Sequence, residues 1–131
     1  MIGGWKRALV LAPHTDDGEF GCGGTMARLV DAGAEVRYVA FSIATEGMRA
    51  FKRTTILGYE IPWNNLDFEY QAYVALEQGH IERKTAALAQ YASQQHRRYA
   101  DPEYVWSLAR THGTNVNRKF AEVFQVYRAI F

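Results

Sequence analysis

Five apolar residues in a row, Ala8-Leu9-Val10-Leu11-Ala12, closed by Pro13, constrain this chain most: an uninterrupted short apolar run is the pattern of a strand buried on both faces. The next segment has a different period. From Glu19 the apolar positions Cys22, Met26, Leu29 and Val30 recur at helical spacing as far as residue 32, and Gly33 supplies a stop. Two residues later, residues 35–42 are rich in β-branched and aromatic side chains. Strand, helix and strand at these lengths make a βαβ unit, whose right-handed crossover makes the two strands parallel neighbours.

The rest of the chain gives weaker signals. Residues 54–61 read as a third strand; the eleven residues before it, 43–53, are near the ~10–12 that a parallel crossover needs. Pro62, Trp63, Asn64 and Asn65 read as a loop, with Asp67 placed to cap the segment after it. Residues 69–95 carry Tyr70, Val74, Ile81, Leu88 and Tyr91 on one helical face, which predicts a long helix weakened at Gly79. Pro102 opens another helix through Arg110, ended by Gly113, and the stripe Phe120, Val123, Phe124 and Tyr127 predicts a last one.

Composition narrows the function classes. The 131 residues are 48% hydrophobic and carry 15 basic against 14 acidic side chains, so one domain with a real core is expected, without the basic footprint of a nucleic-acid binder. A single cysteine, Cys22, rules out an intrachain disulfide and fits a reducing compartment, and the apolar stretch after Lys6-Arg7 is too short for a signal peptide or a membrane span. The cytoplasm is the expected location, and a small molecule or another copy of the chain the expected partner.

The chemistry concentrates directly after the first strand, in His14-Thr15-Asp16-Asp17. In an open parallel sheet, ligands gather at the carboxyl ends of the strands, where an imidazole and two carboxylates can hold a divalent cation and leave one carboxylate free to take a proton. The plainer alternative is that Asp16 or Asp17 caps the helix after it, which explains one carboxylate but not the cluster. Gly21-Cys22-Gly23-Gly24-Thr25 lacks the lysine and spacing of a nucleotide loop, and small residues there also serve close helix packing. His80 suits a cap-like or solvated role, while His96 and His112 fall near helix C-termini, where a cation suits the dipole. Trp63, Asn64 and Asn65 offer a stacking face and amides suited to a sugar ring, or else a turn with Trp63 packed inward. Arg97-Arg98 could meet a phosphate or form a solvated helix end.

Residues 14–25, His-Thr-Asp-Asp-Gly-Glu-Phe-Gly-Cys-Gly-Gly-Thr, closely resemble the opening motif HPDDExxGxGGT of the PIG-L/LmbE-like metal-dependent N-deacetylases. The resemblance extends through residues 36–42, 54–65, 80–84, 99–102, 109–113 and 121–124, nearly the whole chain. It implies an α/β, Rossmann-like three-layer α/β/α domain with a mainly parallel sheet. It also implies hydrolysis of an N-acetyl group on a GlcNAc-type amino sugar or its conjugate. By the same resemblance His14 and Asp17 are metal ligands, to Zn2+ or another divalent ion, and Asp16 is the general base. Thr15 stands where the family usually has proline, and Gly18 where it has glutamate, with Glu19 one place later; neither change removes a ligand.

A larger departure lies between the second and third strands. Family members carry further helices, another strand and an HxxH-type motif there, which supplies the third ligand. This chain has no HxxH and joins the two family halves directly near residues 43–50, as if interrupted or shortened. Loss of a central strand would uncover backbone edges and apolar faces that small domains seldom tolerate, which weighs toward an internal segment absent from this sequence over a true deletion. The alternative functional reading is a non-catalytic shortened homologue that binds a sugar or a partner subunit. A weaker third is a nucleotide-binding module that uses the glycines. Homo-oligomerisation is left open.

Overall fold

The computed structural model describes residues 4–40 and 53–130. Strand β1 (Arg7–Ala12), helix α1 (Asp17–Asp31) and strand β2 (Glu35–Ala40) form the expected unit, with the strands parallel and in register from Arg7 opposite Glu35 to Ala12 opposite Ala40. The α1 stop lies where Gly33 predicts it. Gly33 adopts φ +80°, a conformation that costs glycine little, while its N–H reaches Val30 O at 2.9 Å and Ala34 N–H reaches Leu29 O at 3.0 Å.

A second sheet differs from expectation. Strands β3 (Ile56–Tyr59), β4 (Ala72–Leu76) and β5 (Phe120–Arg128) form an antiparallel sheet in the order β3-β5-β4. β3 therefore pairs with β5, not as a parallel partner of the first sheet. The last segment is a strand and not a helix. Its residues 120–124 are all buried, and burial on both faces lets a helical stripe be drawn through a run that Phe, Val and Tyr favour as strand. The helix expected over 69–95 is likewise divided. Val74 and Leu76 alternate with less buried neighbours in β4, and helix α2 runs only from Gln78 to Leu88. One parallel and two antiparallel pairings among the described residues make a mixed α/β fold, so the expected mainly parallel sheet is not what they form.

Helix α3 (Pro102–Asn115) has Pro102 in its first turn and Asp101 as N-cap, accepting from Glu103 N–H at 2.9 Å. It runs past Gly113, and Asn117 at φ +54° provides the turn beyond it. Gly113 serves packing instead: a Cβ there would lie 2.6 Å from Arg118 O and 2.8 Å from Phe120 N, so only glycine lets α3 run so close to the start of β5.

Helix α1 joins the parts. Gly18 lies against Tyr38 of β2, Gly21 against Tyr59 of β3, Gly23 against Lys84 of α2, and Gly24 against Leu76 and Glu122 of β4 and β5. Close packing, the plainer of the two readings of the glycine run, is what these contacts describe. The core is built from Phe20, Val74, Leu76, Ile81, Leu88, Val105 and Phe120 with their neighbours.

Candidate active site at the carboxyl end of β1

Pro13 ends β1, and the chain turns through 14–16 into α1. His14 N–H donates to Asp17 Oδ2 at 3.0 Å, and His14 Nδ1 lies 3.0 Å from the same oxygen. The imidazole is 78% exposed and the Asp17 side chain 15%, so the pair opens to solvent from a carboxylate that is itself largely covered. With Nδ1 turned to Asp17, Nε2 is the ring nitrogen left for a further ligand. Asp16 occupies the N-cap position of α1, yet its side chain makes no capping hydrogen bond. Capping alone therefore does not account for it.

Two tyrosines hold this turn and a third holds the strand before it. Tyr38 of β2 accepts from Gly18 N–H at 3.0 Å and donates to Thr15 O at 3.1 Å. Tyr91 Oη lies 3.0 Å from both Thr15 O and Glu19 Oε1. Tyr59 donates to Leu11 O at 3.2 Å, tying the antiparallel sheet to β1. Burial raises all three phenols, and burial with the Glu19 carboxylate brings Tyr91 to about 12, so these hydroxyls keep their protons and act as donors. Hydrogen bonds from these hydroxyls fix the turn, together with the Asp17 carboxylate that takes the His14 N–H. None of the three tyrosines was legible as a support, because the residues they hold are distant in sequence.

A divalent cation tests this donor set. One exposed imidazole beside one largely covered carboxylate are donors that zinc accepts, but a protein site for zinc ordinarily offers three or four. Among the described residues no group of three His, Cys, Asp or Glu could hold a metal. The fit is partial: His14 and Asp17 supply two positions, and the remainder must come from water, substrate or groups beyond the described residues. The segment at 43–50 lies outside them.

The other candidates are placed clearly. Trp63 stacks on Tyr99 at 3.7 Å and 10° and meets Phe20 edge-on at 5.2 Å, while remaining 36% exposed. It is a partly open member of an aromatic cluster standing on the first turn of α1. Asn64 and Asn65 donate their N–H groups to Ile61 O, and the Asn65 side chain accepts from Ile61 N–H, so Asn65 builds the turn and Asn64 keeps an exposed amide. His80 caps: its Nδ1 accepts from Glu77 N–H at 2.9 Å, with Nε2 3.1 Å from Asp31.

Two buried polar clusters were missed in the sequence. Glu122 of β5 accepts from Gly24 N–H at 3.0 Å, Thr25 N–H at 2.7 Å, Thr25 Oγ1 at 2.6 Å and Lys84 Nζ at 2.7 Å. Burial and the Glu122 charge push the neighbouring Cys22 thiol up, which keeps it protonated and inert as a nucleophile. In the second cluster Tyr70 donates to Glu60 Oε1, and His112 Nε2 stands 3.2 Å from Oε2, close enough for charge pairing though not well directed as a hydrogen bond. Burial pushes Glu60 up, but His112 and Tyr70 outweigh it and the carboxyl is held below its ordinary value. A carboxylate inside an apolar run such as Ala121-Glu122-Val123-Phe124 was the one available signal. The cavity between these clusters, under Trp63 and Tyr99, is only about 20 Å³, room for about one water and none for a sugar.

The fold and this site define an α/β protein with an imidazole–carboxylate cluster at a strand's carboxyl end. A family model described as PIG-L, GlcNAc-PI de-N-acetylase, matches residues 9–129, and the chain belongs to that family. Neither the curated proteins nor the solved structures provide a significant match. The family is typically one of GlcNAc-type deacetylases, which supports a hydrolase at a coarse level. No helix among the described residues is long and apolar enough to cross a membrane.

Proposed function

We propose that the protein removes the N-acetyl group from a GlcNAc-type amino sugar or its conjugate in a zinc-dependent hydrolysis. The observation that supports this best is the division of labour around the β1 turn: Asp17 engages His14 at 3.0 Å, while Asp16 beside it spends no side-chain oxygen on capping. His14 and Asp17 would hold the metal. When bound, zinc there would acidify a water and polarise the amide carbonyl. Asp16 takes the proton from the attacking water and passes it to the leaving amine, so that acetate and a free amino sugar result. Tyr38 and Tyr91 hold the Thr15 carbonyl and so fix where the Asp16 carboxylate begins its reach. The exposed part of Trp63 and the Asn64 amide would take the sugar ring.

The direct test is release of acetate from N-acetylglucosamine conjugates by the purified chain, before and after chelation and zinc return. Turnover lost on chelation, restored by zinc and absent in Asp16→Asn supports the reading; turnover unaffected by chelation contradicts it. A second reading, a non-catalytic member of the family that binds a sugar or a partner subunit, is favoured by one observation: no third ligand joins His14 and Asp17 among the described residues. Sugar binding without acetate release, at saturating zinc, would select it.

A further inference from the structure

The wall of a second groove, lined by residues between Thr85 and Pro102, carries an excess of positive charge. Between the C-terminal end of α2 and the 3₁₀ turns 92–94 and 98–100 lies a groove of about 550 Å³. Its lining includes His96, Arg97, Arg98 and Thr85. Neither guanidinium pairs with a carboxylate among the described residues, in contrast to Arg83, which is bound to Asp31. Asp101 is the one carboxylate on that wall, and it is engaged as the N-cap of α3, accepting from Glu103 N–H at 2.9 Å.

The segment bearing these cations is held at both ends. Tyr91 precedes it and reaches Thr15 O and Glu19; Tyr99 comes after it and stacks on Trp63. Between them Gln95 Nε2 donates to Ala89 O at 2.9 Å and Arg97 N–H to Gln94 O at 2.9 Å, so the backbone under the arginines is set before any ligand arrives. Both anchors touch the candidate active-site turn or its aromatic flank.

We propose that this groove binds the phosphate group of a small phosphorylated organic ligand. Two arginines consecutive in the chain, each guanidinium able to fork a tetrahedral oxyanion, with the His96 imidazole on the same wall, match a phosphate monoester better than a carboxylate. Only the ligand's identity as a phosphorylated amino sugar rests on the deacetylase reading. Binding is measured without turnover, so failure here and failure of deacetylation are separate results.

Calorimetric titration of the full chain, free of metal, with glucosamine 6-phosphate, glucosamine and inorganic phosphate tests it. The expected result is saturable binding of the sugar phosphate, none of glucosamine, and roughly tenfold or greater weakening in Arg97→Ala/Arg98→Ala at an unchanged thermal midpoint. Arg97→Lys/Arg98→Lys, which keeps the charge but loses the forks, should fall between. No saturable binding, or binding undiminished in the alanine variant, overturns the site. Equal affinity for sugar phosphate and inorganic phosphate overturns the organic ligand and assigns the groove to free phosphate.

Discussion

The two halves of α1 each meet a carboxylate, and the two carboxylates have opposite fates. At its start Asp16 stands at the N-cap without a capping bond, beside a histidine 78% exposed. Further along, past the kink at Cys22, the backbone N–H groups of Gly24 and Thr25 point at Glu122, whose side chain is 5% exposed and which takes four hydrogen bonds. The residue chemistry is the same; water and saturation differ. A buried carboxylate whose oxygens are committed to four donors has no oxygen left to offer a ligand, whereas an uncommitted one at an open strand end does. The candidate site sits at the end of the helix that the fold does not consume.

Substitutions can break that contrast. The largest effect is expected for Asp16→Asn, which should lower acetate release by roughly 10²–10⁴-fold while moving urea-unfolding stability by less than about 0.5 kcal/mol. Glu122→Gln should do the reverse. It presents donors to donors and strands the Lys84 charge, a loss of about 3–5 kcal/mol in the same unfolding measurement. Gly21→Ala sits between the two halves. Its Cβ would lie 2.0 Å from Tyr59 Cδ2, so the ring that also holds Leu11 O must shift, at a cost of about 1–3 kcal/mol by thermal unfolding.

The smallest effect is a pH dependence. Glu60 is held below its ordinary value in the folded chain, so the unfolded chain binds its proton more readily. The stability it contributes is present above the usual glutamate pKa of ~4.3 and is lost as pH falls through the lower folded value. Asp31, lowered by the Arg83 hydrogen bond, adds to the same acid loss. Unfolding midpoints tracked from neutral pH downward should fall in this window, and less steeply in His112→Gln. An unchanged slope in that variant would remove His112 as the cause.

Legibility in the sequence tracked the range of the interactions. β1, α1, β2 and their parallel pairing came from local periodicity and Gly33, and the candidate site is proposed from adjacency, since His14, Asp16 and Asp17 fall within four residues. β4 and β5 did not. A strand buried on both faces offers no alternation, so Phe120, Val123, Phe124 and Tyr127 fit a helix equally well, and only their pairing with β3 and β4 decides for a strand. The supports of the site were hidden for a related reason. Tyr38, Tyr59 and Tyr91 reach β1 and its turn from three separate parts of the chain, and Glu122 meets Thr25 across 97 residues. Spacing carries no trace of such contacts.

The central claim, that Asp16 handles the proton while His14 and Asp17 hold the metal, is tested most directly by elemental analysis of purified wild type, Asp16→Asn and His14→Ala/Asp17→Asn, with acetate release measured on the same samples. The account predicts about one zinc per chain in wild type and in Asp16→Asn, turnover in wild type alone, and metal lost from the double variant. Wild type that binds no zinc when zinc is supplied, or Asp16→Asn that loses metal together with activity, would contradict it.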